Sequence, residues 1–84
     1  MDEMMEAVHK MLASPDWTEG EKWVVRWQWR LLGDFQQALS EAIKRADDGN
    51  LDRLRLGFPD QVAGFLAWNR GDLAQRLRAA GVMD

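Results

Sequence analysis

Eighty-four residues with no cysteine and a formal net charge of −3 leave room for one domain, without disulfides or thiolate chemistry. The acidic balance also sets aside generic duplex DNA binding, which draws on a basic face that releases counterions. Five Trp and three Phe must carry much of a small core, since each can bury about 150 to 250 Å². The charge is uneven: Asp2, Glu3, Glu6, Asp16, Glu19 and Glu21 face Lys10 alone before Lys22, and the remainder is close to balanced. The acidic start does not read as a secretory signal, and no apolar run approaches the roughly 18 residues of a membrane span. The expectation is therefore a cytoplasmic protein with no membrane partner.

In chain order, Met4, Val8 and Leu12 recur at i, i+4 and i+8 from Asp2 to Ala13, with Met5 and Met11 beside them and Glu6 placed to pair with Lys10. This predicts an amphipathic acidic helix within residues 1–14, and whether it docks on the body or stands apart is open. Ser14 before Pro15 marks one stop and start. Thr18 with Glu21 three residues on is a second capping signal. Helix two then runs to about Leu32. Within it Trp23, Val24, Trp27 and Leu31 fall on one side at about 100° per residue, and Val25, Trp29 and Leu32 fall on another, which leaves Arg26 and Arg30 a narrow stripe. A helix apolar over most of its circumference is buried or covered.

Gly33 interrupts, either as a stop or as a bend within one long helix, and Asp34 with Gln37 offers the next cap. Phe35, Ala38, Leu39, Ala42, Ile43 and Ala46 keep helical spacing throughout. Asp48, Gly49 and Asn50 close that helix and cap a short one carrying Leu51 and Leu54. Pro59 suits a first helical position ahead of Val62, Ala63, Phe65, Leu66 and Trp68, up to Gly71. Asp72 caps a last helix with Leu73, Leu77 and Ala80, ended by Gly81. No segment alternates with period two over strand length. The pattern predicts one all-α domain, residues 1–84, a compact bundle of five or six short helices around a Trp/Phe/Leu core.

The run Trp27-Gln28-Trp29-Arg30-Leu31-Leu32-Gly33-Asp34-Phe35, followed by Ala38-Leu39, Ala42-Ile43, Arg45-Ala46-Asp47, Asn50-Leu51, Leu54 and Gly57-Phe58-Pro59 with Val62, resembles a group of small, mostly uncharacterised proteins encoded by bacteriophages and prophages. The shared pattern is a Trp-containing helix, a Gly-x-Phe turn, an Ala-Asp then Asn-Leu junction and a Gly-Phe-Pro turn, over roughly residues 23 to 68. The acidic first helix and the segment from Asp72 onward lie outside it. The resemblance implies a phage accessory protein and assigns no catalytic residue.

Candidate chemical sites have structural readings beside them. His9 is the only histidine, and a protein zinc site needs three or four converging ligands. Ser14, Thr18 and Ser40 are the only hydroxyls, and capping or surface positions account for them better than nucleophilic work, which needs an activating base. Asp48, Asn50 and Asp52 mimic the start of a calcium loop, but Arg53 stands where Gly is needed and Pro59 where the bidentate Glu belongs. Val25 to Arg30 resembles the Trp and Arg core of cationic antimicrobial peptides such as lactoferricin, and interleaved Arg and Trp also suit single-stranded nucleic acid. No catalytic residue, cofactor or metal is assigned.

The sequence thus points to a non-enzymatic protein that acts by contact. Trp17, Arg26, Trp29, Arg30 and Trp68 have the composition of interface hot spots, with Glu3 and Glu6 as an acidic arm toward a basic partner. The expected partner is a host or phage protein in the bacterial cytoplasm, with a homodimer as a further form. By analogy with small phage proteins that inhibit bacterial immunity, an anti-CRISPR-like inhibitor of a defence complex is the leading reading. The alternative is a helix-turn-helix-like regulator that binds nucleic acid through Arg53, Arg55, Arg70, Arg76 and Arg78.

Overall fold

The computed structural model describes residues 2–84 and contains six helices, α1 (Glu3–Ala13), α2 (Glu19–Gln28), α3 (Asp34–Arg45), α4 (Asp48–Gly57), α5 (Pro59–Arg70) and α6 (Asp72–Ala79), with no strand among the described residues. The all-α bundle expected from the periodicity is the architecture found. Helix starts follow local chemistry. The Asp2 carboxylate accepts the Met5 N–H at 2.8 Å and opens α1. Of the two possible starts for α2, the second is used. Thr18 Oγ1 accepts the Glu21 N–H at 3.1 Å, while the Glu21 carboxylate accepts the Thr18 N–H at 2.8 Å, a reciprocal capping box. Ser14 instead ends α1, and its hydroxyl accepts the Asp16 N–H.

Helix two stops earlier than its apolar run suggests. The Leu31 N–H donates to the Arg26 carbonyl and the Arg30 N–H to the Trp27 carbonyl, the paired bonds of a Schellman motif. Arg30 sits at the left-handed position of that motif, at φ 57°, where a glycine usually stands. No glycine announces the stop, so the pattern of tryptophans and leucines reads straight through it. The same motif ends α6 with the expected residue, Gly81 at φ 77°, and the Val82 N–H bonds to the Leu77 carbonyl.

Other junctions shift by a residue. Gly33 lies outside both helices as the start of α3, so Asp34 is the first helical residue and no side chain caps that end. Asp47, one residue before the predicted cluster, caps α4 by accepting the Asn50 N–H. Gly71 joins α5 to α6 in the left-handed region, and Asp72 follows as the first residue of α6.

The centre of the core is aliphatic. Val8, Val24, Val25, Ile43, Val62, Leu73, Leu77 and Val82 are buried essentially completely. Trp23 and Phe65 are the buried aromatics, while Trp17, Trp27, Trp29 and Trp68 pack half-buried around that centre. The expected Trp/Phe/Leu core takes the form of an aliphatic centre of Val, Ile and Leu, with Trp23 and Phe65 beside it and a margin of further tryptophans. Branched side chains fill a narrow interior closely, and the indoles cover its edges. α1 docks on the body through Val8 and Met11.

α2 is the central helix, with six consecutive residues from Gly20 to Val25 buried, including Glu21 and Lys22. Its main neighbour is α5. The two helices cross where Gly20 meets Gly64, both buried inside their helices. A Cβ on Gly64 would stand 2.7 Å from the Gly20 carbonyl carbon, and one on Gly20 would stand 3.1 Å from the Gly64 nitrogen, with the Asp60 carbonyl oxygen closer still. Backbone meets backbone here, so no flexible side chain can give way.

α3 is held differently. Leu39, Ser40 and Ile43 face inward, and the Trp23 indole N–H donates to the Gln36 side-chain oxygen at 2.9 Å. Phe35 was expected in the core but is 65% exposed. The apolar arc of α3 is wider than the face it buries, and Phe35 lies on the part left over, 6.0 Å from the Phe58 ring.

Replacing Gly64 with alanine should therefore destabilise the protein by about 1 to 3 kcal/mol, the usual cost of overpacking, and lower Tm by at least about 5 °C. Gly57→Ala, at a helical position with nothing within 4 Å, should leave Tm unchanged or raise it. Thermal melts followed by circular dichroism compare the two.

Candidate functional site

Along α1, Glu3, Glu6 and Lys10 lie at i, i+3 and i+7 on one solvent-facing stripe, because Val8 and Met11 turn the opposite side inward. The chain then turns through Ser14 and Pro15, which brings Trp17 back beside that stripe. Glu3, Glu6, Lys10, Met11 and Trp17 line an open groove of about 420 Å³, with Ala80 at the end of α6 contributing its far wall. Three of the contact residues expected from sequence, Glu3, Glu6 and Trp17, thus converge on one surface, the tryptophan from eleven positions beyond the second glutamate.

Trp17 is fixed from behind. The Arg76 guanidinium lies over its ring, 4.9 Å from the centroid, and also donates to the Glu21 carboxylate. Glu21 is at once the third residue of the α2 capping box, the acceptor of the Thr18 N–H and the partner of Arg76. Burial pushes the Glu21 carboxyl up, but the Thr18 amide and the Arg76 guanidinium outweigh it, and the group ends below its ordinary range. One chain of contacts therefore runs from α6 through Arg76 to the start of α2 and to the indole in the groove.

The other expected contact residues are elsewhere. Arg26 borders a second depression, between α2 and the start of α3, with Trp23, Leu31, Leu32 and Gln36. Trp29 is committed to the fold, since its indole N–H donates to the Val82 carbonyl at 2.8 Å and ties the C-terminal end to the end of α2. Arg30 is exposed in the left-handed turn. Trp68 packs edge-on against Trp27 at 6.3 Å between centroids. The seven residues do not form one patch.

The large apolar side chains most open to solvent are not tryptophans at all. They are Leu56 at 88%, Phe35 at 65% and Leu31 at 48%. Leu56 sits on the outer side of α4, a helix with no buried residue, and Phe35 and Leu31 flank the α2–α3 turn. Leu31 and Phe35 each continue an apolar pattern that normally marks a core face, whereas Leu56 lies on the side of α4 away from Leu51 and Leu54. Gly20 and Gly64 carry a sequence signal of their own, since a glycine inside a helix costs about 1 kcal/mol relative to alanine and so marks a packing reason.

The arginines of the nucleic-acid alternative each have a partner within the chain. Arg76 holds Trp17 and Glu21, Arg53 donates to Asn50, Arg55 pairs with Asp52, Arg70 with Asp72, and Arg78 donates to the Asp84 carbonyl. The three hydroxyls serve the backbone at Asp16, Glu21 and Gln37. His9 is exposed on α1, and among the described residues no group of three or more His, Cys, Asp or Glu side chains converges to hold a metal ion. Among the same residues, no helix is long and apolar enough to cross a membrane. No family model matches the chain, and comparison with curated proteins and with solved structures finds no match.

The Glu21 contacts carry a pH dependence of definite sign. A carboxyl whose pKa is depressed on folding binds fewer protons in the native state than in the unfolded state in the acid range, so stability rises with pH there. The contribution is complete above the ordinary glutamate pKa and is lost as pH falls through the depressed folded value. Melts between neutral pH and about pH 3 should show a steeper acid loss of Tm in the wild type than in Glu21→Gln, with the two curves converging at the acid end.

Proposed function

We propose that this chain is a non-enzymatic accessory protein of the bacteriophage type that works by binding another protein through the α1 groove. The observation that carries this reading is the convergence of Glu3, Glu6 and Trp17 on one open groove. Two carboxylates beside an indole suit a basic segment, whose Lys or Arg head would meet the carboxylates while its methylene stem lies along the ring. Arg76 behind Trp17 holds the indole in place before any partner arrives, which lowers the ordering cost of binding. The resemblance of residues 23 to 68 to phage and prophage proteins supports a host factor as target, with a defence complex as the leading case and inhibition as the mode. On this reading Trp29 and Trp68 are structural, and Arg26 and Arg30 lie outside the contact.

The test is capture from nuclease-treated bacterial lysate by tagged protein, comparing wild type with the double variant Glu3→Lys/Glu6→Lys. Both glutamates are exposed, so the variant should keep its fold, with a small fall in melting temperature because both sit in the first turn of α1, and lose the captured protein. Capture unaffected by the reversal would overturn the groove as the contact surface. Capture that disappears with nuclease would move the assignment to the nucleic-acid regulator.

A further inference from the structure

The outer side of α3 carries a second surface, independent of the groove. At about 100° and 1.5 Å per residue, Asp34 and Arg45 lie within about 20° of each other around the helix and about 16 Å apart along it. Ala38 and Ala42 fall between them along the helix, about 40° and 80° round from Asp34, with Phe35 at about 100° on that same side and Glu41 about 20° to the other. Asp34, Phe35, Ala38, Ala42 and Arg45 are all exposed. The inward side, Leu39, Ser40 and Ile43, is the one that packs on the body. No residue of the stripe lines the α1 groove.

Asp34 and Arg45 are left without an ion pair among the described residues, while Glu41 and Lys44 beside the stripe pair with each other. They are too far apart to pair within one helix. The stripe reads acid, aromatic, small, small, base from its N-terminal to its C-terminal end, and a copy of it turned end for end is its electrostatic complement. We propose that the exposed stripe of α3 is a self-association surface, on which a second copy of this chain docks antiparallel through α3.

In that arrangement Ala38 of each copy lies against the other's Ala42, and the small side chains let the helices approach closely. Asp34 of each copy meets the other's Arg45, twice by symmetry. The same guanidinium comes within reach of the face of the other copy's Phe35, a ring 65% exposed with Phe58 beside it at 6.0 Å. The contact is isologous and closes as a dimer. Antiparallel packing also opposes the two helix dipoles, with basic residues at each C-terminal end and an aspartate at each N-terminal end. A single helix pair covers less than the roughly 1,200 Å² of a standard interface, so the dimer is a weak one that forms at high protein concentration.

Sedimentation equilibrium across a concentration series up to millimolar protein tests this. Wild type should approach twice the monomer mass. Asp34→Arg and Arg45→Asp, each checked for an intact helical spectrum and melt, should each weaken association at least about tenfold, because each homodimer then places like charges together twice. An equimolar mixture of the two variants should recover the dimer, since every cross-pair in the heterodimer is again opposite in sign. A change confined to folding within one chain would not be rescued by mixing. Wild type that stays monomeric throughout, association unaffected by either reversal, or a mixture no better than its components would each overturn the proposal.

Discussion

The contact between Gly20 and Gly64 sets the geometry of this protein. Two helices can approach backbone to backbone only where neither carries a Cβ, and once they do, the side chains on either side of the crossing are brought to fixed heights. Val24 and Val25 on α2 and Val62 and Phe65 on α5 meet around that point, and the fully buried residues of α1, α3 and α6 gather on them. A domain of this size buries only about 60 to 65% of the surface of its unfolded chain, so a close crossing concentrates what burial there is. The intrinsic penalty of two helical glycines is about 2 kcal/mol in all, which the shared aliphatic centre must exceed.

The tryptophans take their places from this arrangement. With the interior narrow and filled by branched side chains, the indoles lie over its margin, where one edge can be apolar and the N–H can reach a partner. Trp23 finds Gln36 and holds α3 to α2, and Trp29 finds the Val82 carbonyl and closes the C-terminal end. Trp17 differs in that its partner is a cation above the ring rather than an acceptor at the N–H. Arg76 thereby ties an aromatic surface residue to Glu21 and the α2 cap, so the groove is built on the same bonds that start the central helix.

Much of the fold was legible in the sequence because its punctuation is local. Thr18 with Glu21, Pro59 and Gly81 act within three or four residues of themselves and do what their chemistry suggests. The end of α2 was not legible, because Arg30 takes a left-handed position by virtue of the Schellman bonds rather than by its own preference. Nor was the exposure of Phe35. Helical spacing shows that α3 has a broad apolar arc but not how much of it the rest of the chain can cover. The groove was half legible: Glu3, Glu6 and Trp17 could each be singled out by residue type, whereas their convergence depends on the turn after α1. Arg76 read as a surface arginine for nucleic acid, since nothing local connects it to a tryptophan and a glutamate more than fifty positions earlier.

Native-state hydrogen exchange tests the organising role of the crossing most directly. Amides of Val24 and Val25 in α2 and of Phe65 and Leu66 in α5 should exchange slowest and with one shared opening free energy, that of global unfolding, while α4, which buries no residue, exchanges through cheaper local openings. If α2 and α5 instead exchanged as fast as α4, or opened with separate free energies, the two helices would not form the unit on which the remaining surfaces are built.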